Sequence, residues 1–204
     1  MTLWAIVPVK PLRRGKSRLS AVLSEDERAN LNRKLLSHTI KTLKSVAEIN
    51  DVLVVSRDAE ALSLARDLEA RTLLEDGSPH LNVALERATQ VAKGYKSQAV
   101  LVIPADLPQI SEEDIHEMIS QGQHAPVVVI VPDHRNEGTN ALFMNPAGVI
   151  EYDFGEGSFE RHRLRALEAG VDLRVCELPS LAHDVDLPED LDFLAVSLEN
   201  LVKK

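Results

Sequence analysis

Leu3-Trp4-Ala5-Ile6-Val7-Pro8-Val9 runs directly into Lys10-Pro11-Leu12-Arg13-Arg14-Gly15-Lys16-Ser17-Arg18-Leu19. The apolar run reads as a short first strand. The turn behind it carries Lys10, Arg13, Arg14, Lys16 and Arg18, with no acid before Glu25, in a chain whose formal net charge is -9. Like charges crowded onto one loop repel unless an anion sits among them. Cations at the carboxyl end of a first parallel strand are placed to grip a polyphosphate. A solvated basic turn is the plainer alternative. The position behind a buried strand and the acid-free stretch favour the anion site.

Working outward, Val52-Leu53-Val54-Val55, Ala99-Val100-Leu101-Val102-Ile103 and Val127-Val128-Val129-Ile130-Val131 are continuous aliphatic runs. Continuous rather than alternating hydrophobicity marks strands buried on both faces. Helical patterns lie between them. Ser24 with Glu27 forms a capping box, followed by Leu36, Ile40, Leu43 and Ala47 at helical spacing. Asp58 reads as an N-cap before residues 59–68, and Ser111 with Asp114 opens a further helix. Strand–helix alternation predicts an α/β fold, a mostly parallel sheet with helices on both faces. The length suits a single domain over residues 1–204. Residues 132–158 break the rhythm with Gly138, Pro146, Gly148, Gly155 and Gly157, and read as an insertion of loops and short strands forming a substrate-side flap.

Composition narrows the function. Aromatic residues make up 3% of the chain, which removes the stacking platforms of a single-strand nucleic-acid binder. The acidic balance argues against a nucleic-acid polymer as partner. One cysteine, Cys176, excludes an internal disulfide and a cysteine-rich metal site. No run approaches membrane-spanning length and none resembles a signal peptide, so a cytoplasmic protein with no membrane partner is expected.

Three further constellations carry chemistry. Asp106, in Ile103-Pro104-Ala105-Asp106-Leu107-Pro108, stands at the tip of an apolar strand, beside the crevice where open α/β sheets bind ligands. It could simply turn the chain. Opposite a polyphosphate loop it becomes a candidate magnesium ligand, because magnesium takes one or two carboxylates plus phosphate oxygens. In His183-Asp184-Val185-Asp186-Leu187-Pro188, alternation places Asp184 and Asp186 on one side of an extended segment. The alternative has Asp186 capping the helix that Pro188 opens. Gly138-Thr139-Asn140 and Gly155-Glu156-Gly157-Ser158 are each ordinary turns, yet together suggest a second anion pocket at a helix start. Arg161, His162, Arg163 and Arg165 on that helix read mainly as a solvated face. Asn82 is an N-cap or a base-contacting amide. The seven histidines show no helical ligand pair, and no nucleophile elbow is present.

Val7-Pro8-Val9-Lys10, Lys16-Ser17-Arg18-Leu19, Pro104–Pro108, Gly138–Leu142, Gly155–Ser158 and Asp184–Leu191, in that order and spacing, resemble the guanylyltransferases that make the deazaflavin coenzyme F(420). That family transfers GMP from GTP to 2-phospho-L-lactate or a related three-carbon phosphate, phosphoenolpyruvate and 3-phosphoglycerate included, and releases pyrophosphate. The resemblance runs from Ala5 to Leu191 and implies the nucleotide-diphospho-sugar transferase fold. It implies that Lys10, Lys16 and Arg18, with Ser17 in the same motif, hold the nucleotide phosphates. Asp106 and Asp186 would hold magnesium, with Asp184 the competing ligand of the pair. Thr139, Gly155 and Ser158 would hold the acceptor, and Lys16 and Asp106 would act at the reacting phosphate. Leu187 stands where many relatives have threonine, and Glu137 lies where they are richer in glycine, so Glu137 must point away or the acceptor contacts differ from the family pattern. The alternatives are a sugar-phosphate, molybdopterin or erythritol-phosphate nucleotidyltransferase of the same fold, and a non-catalytic nucleotide-binding regulator. Only Gly15 interrupts the first loop, which disfavours the glycine-rich sugar-phosphate enzymes. The sequence leaves the oligomeric state open, a homodimer being compatible with it.

Overall fold

The computed structural model describes residues 1–191. Seven strands form one sheet: β1 (Leu3–Val9), β2 (Ile49–Ser56), β3 (Arg71–Leu74), β4 (Ala99–Val102), β5 (Val127–Pro132), β6 (Thr139–Asn145) and β7 (Asp172–Val175), in the order β3-β2-β1-β4-β6-β5-β7. All pairings are parallel except those of β6 with β4 and β5. Helices α1 (Glu25–Ser45), α2 (Ala59–Asp67), α3 (Leu81–Gly94), α4 (Glu112–Gln121), α5 (Ser158–Glu168) and the short α6 (Pro179–Ala182) cover both faces.

Strand periodicity divides the core in two. Leu3, Ala5 and Val7 of β1, with Val52 and Val54 of β2, face α1, α2 and α4, where Leu36, Ile40, Leu62, Ile115 and Met118 receive them. Trp4, Ile6, Leu53 and Val55 point the other way, onto Ala84, Leu85 and Ala88 of α3 and Ala166 of α5. The central runs of β1, β2, β4 and β5 therefore need apolar residues on both sides, which is why they read as unbroken.

The starts of α1, α2 and α4 are those the sequence marks. Ser24 N–H donates to Glu27 Oε2 at 2.8 Å while Ser24 Oγ accepts from Glu27 N–H at 3.3 Å. Asp58 accepts from Glu60 N–H, and Ser111 from Asp114 N–H. The edge strands β3 and β7, four residues each and partly exposed, lack the apolar signature of the others.

One element departs from expectation. Residues 139–145, expected inside a flap, form β6, buried at all seven positions between β4 and β5. Its apolar stretch is only four residues long, and the polar ends Thr139, Asn140 and Asn145 disguised it. Asn140 and Asn145 are satisfied by backbone carbonyls: Asn140 Nδ2 donates to Leu181 O at 2.9 Å and Asn145 Nδ2 to Gly122 O at 3.0 Å. Burial without a penalty is possible because these partners exist.

The sheet opens where the site lies. β2 pairs with β1 along its length, but β4 leaves β1 after Ile6 and Val102. Ile6 O accepts from Ile103 N–H at 3.0 Å, so Pro8, two residues on, faces the side that has lost its partner. Its missing N–H forfeits no ladder bond there, and a proline is tolerated in a central strand. The chain runs from β1 outward in opposite directions to β2 and β4, which creates a crevice at the carboxyl ends of these strands. Among the described residues no helix is long and apolar enough to cross a membrane.

Candidate active site

A cleft of about 530 Å³ occupies that crevice, lined by residues at or just past the carboxyl ends of β1, β2, β4 and β5 and by the amino end of the antiparallel β6. The volume lies within the range of small-molecule sites. The basic turn forms one wall. Pro11 O accepts from Arg14 N–H and Gly15 N–H, Asp58 Oδ2 accepts from Leu12 N–H at 2.7 Å, and Asn32 Nδ2 donates to Leu12 O at 2.7 Å. Gly15 permits that last contact, since a Cβ on it would sit 2.8 Å from Asn32 Nδ2. Lys16 follows in a left-handed conformation, φ 56°. Its ammonium crosses the cleft to donate to Val185 O, between the two distant aspartates.

The acids converge from far apart in sequence. Val185 N–H donates to Asp106 O at 3.1 Å, and the Val185 side chain is buried with Leu19, Leu31 and Leu35. One small apolar cluster thus ties the basic turn, α1 and the segment of Asp184 and Asp186 together. Asp106, Asp184 and Asp186 each offer a carboxylate oxygen, all within 4.8 Å of one another. Asp106 Oδ1 is buried and has no hydrogen-bond partner. Burial, and then the charges of Asp106 and Asp186, push the Asp184 carboxyl up to about 6. Three crowded carboxylates with an orphaned oxygen are short of positive charge, and a divalent cation fits that deficit.

The remaining wall is built by the turn before α5. Gly155 has φ +133°, a backbone region that side chains disfavour. Ser158, first residue of α5, is buried, and its Oγ accepts from Thr139 N–H at 3.0 Å. Thr139, Gly155 and Ser158 all line the cleft, alongside Lys10, Lys16, Asp106, Asp184 and Asp186. The segment of Asp184 and Asp186 is not a strand, yet the structure brings both acids to Asp106.

Other expected residues lie differently. Ser17 and Arg18 are exposed and outside the lining; Arg18 reaches the site only by its ion pair with Asp186, at 3.6 Å. Arg13 is spent on Glu25 and Asp26 in the first turn of α1. Asn82 neither caps α3 nor faces the cleft. Its Oδ1 accepts from Phe154 N–H at 2.8 Å and its Nδ2 donates to Phe154 O at 3.2 Å, so both ends of the amide are consumed holding the cleft wall. A residue one position inside the helix is badly placed to cap it and well placed to reach a neighbouring loop. Arg161 and Arg165 are not a solvated face either: both clamp Asp153, in contacts of 2.7 to 2.9 Å. Glu137 is exposed and outside the cleft lining. The backbone at Leu187 is capped by an acid: Asp190 Oδ2 accepts from Asp186 N–H and Leu187 N–H.

Arg57, Glu75, His80 and Asp133 also line the cleft and were not anticipated. Arg57 and Asp133 follow the tips of β2 and β5, and applying the strand-tip rule to every strand would have found them. Glu75 follows β3, whose four residues hid its tip.

A crevice at the carboxyl ends of a mostly parallel sheet, with a basic turn reaching into a three-carboxylate cluster, defines a nucleotidyltransferase. The fold agrees with solved structures. A protein from Desulfovibrio desulfuricans described as a nucleotide-diphospho-sugar transferase superposes with TM-score 0.78, at 19% identity over 95% of this chain and 87% of its own. A nucleotidyl transferase from Methanothermobacter gives TM-score 0.73, at 17% identity over 98% and 99%. The model of the family described as guanylyl transferase CofC like matches residues 3–200, and the chain belongs to that family. The phosphoenolpyruvate guanylyltransferase of Rubrobacter xylanophilus is 43% identical over 97% of this chain and 95% of its own length. The 2-phospho-L-lactate guanylyltransferase of Methanobrevibacter smithii is 30% identical over 97% and 86%.

Proposed function

We propose that the chain transfers GMP from GTP to a three-carbon acid phosphate, phosphoenolpyruvate or 2-phospho-L-lactate, with release of pyrophosphate, in the making of coenzyme F(420). The observation that carries this reading is the convergence of Lys10 and Lys16, the three aspartates and the Thr139–Ser158 pair in one cleft. The names of the relatives supply guanine and the acceptor class.

Asp106, Asp184 and Asp186 would hold magnesium, which supplies positive charge to the phosphate oxygens around the reacting phosphorus. Lys10 and Lys16 neutralise the triphosphate and fix its orientation from the basic turn beside the acids. Thr139, Ser158 and the backbone at Gly155 hold the acceptor so that its phosphate faces the α-phosphorus. An acceptor phosphate oxygen attacks in line, a P–O bond forms, and the bond to the β-phosphate oxygen breaks. The acceptor phosphate is already ionised near neutral pH, so no general base is required. The reaction read this way needs neither a histidine base nor a serine nucleophile.

A pyrophosphate-release assay crossing the four nucleoside triphosphates with phosphoenolpyruvate, 2-phospho-L-lactate and 3-phosphoglycerate tests this. Release is expected with GTP and one of the first two acceptors. Turnover only with a sugar phosphate, or GTP binding with no release in any combination, would refute it.

A further inference from the structure

His162 is buried completely, one turn into α5 behind the acceptor wall. Its two ring nitrogens meet different partners. Nε2 lies 3.0 Å from the backbone N of Asp153, and Nδ1 lies 2.9 Å from Thr139 Oγ1. A backbone N–H can only donate, so Nε2 must be the bare, accepting nitrogen. The ring proton therefore sits on Nδ1 and is donated to Thr139 Oγ1.

We propose that His162 is a positioning residue that sets the polarity of the acceptor pocket. By donating to Thr139 Oγ1 it turns the threonine's own hydroxyl hydrogen out for a substrate oxygen. Ser158 Oγ is set the same way, because it already accepts from Thr139 N–H at 3.0 Å. Among the described residues neither hydroxyl has an acceptor of its own. Two neighbouring O–H groups, each compelled to donate, select an oxyanion, carboxylate or phosphate, over a neutral hydroxyl. This rests on the reading that Thr139 and Ser158 take the acceptor.

The surroundings keep the ring neutral. Burial pushes its pKa down to about 4, the Asp153 carboxylate opposes this, and Arg161 and Arg165 reinforce it. The Phe154 ring stands edge-on at 4.8 Å and closes the remaining side.

Imidazole nitrogen NMR of the full-length protein at pH 7.5 reads the tautomer directly: a protonated Nδ1 and a bare Nε2 are expected. The opposite tautomer or an imidazolium overturns the proposal, whatever any variant does. Kinetics with GTP and phosphoenolpyruvate give the second readout. His162→Asn keeps an amide N–H at the Nδ1 position and should stay within about threefold of wild type. His162→Gln moves the amide away from Thr139 and should raise KM for phosphoenolpyruvate about tenfold, the loss of one hydrogen bond, with KM for GTP unchanged. Equal losses in both variants, or a change confined to GTP, overturn it. Thr139→Val and Ser158→Ala separate the two readings. If they leave KM for phosphoenolpyruvate unaltered, the acceptor assignment fails; if they raise it and His162→Gln does not, only the role of His162 fails.

Discussion

Acid should destabilise this protein through His162 by an amount the structure allows to be worked out. The ring is buried, accepts from Asp153 N–H and has its pKa lowered from 6.5 to about 4. A histidine with a depressed folded pKa binds fewer protons folded than unfolded between those two values. Its contribution is therefore intact above the unfolded value and is lost as pH falls towards 4. Each unit between the two values is about 1.4 kcal/mol, so the loss from pH 7.5 to pH 4.5 is on the order of 2.5 kcal/mol. Asp184 works the other way: its carboxyl is raised to about 6, so the folded state takes up its proton first and gains stability as pH falls through that region. The wild-type curve alone therefore mixes two opposing slopes. Urea unfolding of wild type and His162→Asn across this range, read as the difference between them, isolates the histidine. The two should converge by about 2 kcal/mol on acidification. Parallel curves would show that His162 is protonated, or solvated, in the native state.

Further predictions concern the cleft and the core. Asp106→Asn should remain folded, lose at least about 100-fold in pyrophosphate release, and lack the rise in Tm expected when magnesium is added to the wild type; retained turnover removes Asp106 from the chemistry. Lys16→Ala should raise KM for GTP about tenfold or more and Ser158→Ala KM for the acceptor, so that swapped effects in initial-rate kinetics would invert the map of the cleft. Gly122→Ala should lower stability by about 1–3 kcal/mol in urea unfolding, because the added Cβ would sit 2.1 Å from the Phe143 ring. An unchanged midpoint would mean that the ring moves freely.

Local sequence carries information where a single element must meet its own physical requirement. A strand covered on both faces needs unbroken aliphatic residues, so β1, β2, β4 and β5 are legible. Helices need partners for their first N–H groups, so Ser24, Asp58 and Ser111 announce α1, α2 and α4. Cations behind one strand and an acid at the tip of another likewise mark the crevice before any packing is known. Polar-ended β6 and the four-residue β3 and β7 escaped, because carbonyl partners and edge exposure relax the pattern that identifies a strand.

Tertiary structure alone decided which polar side chains are available. Nothing local distinguishes Asn82, bound at both ends to Phe154, from an amide facing a nucleotide, or Arg161, locked on Asp153, from a free cation. The same holds for the meeting of Asp184 and Asp186 with Asp106, which depends on Val185 finding Leu19, Leu31 and Leu35. Periodicity reports how a residue sits relative to its own backbone; a hydrogen bond across 72 or 169 residues reports where the rest of the chain has gone.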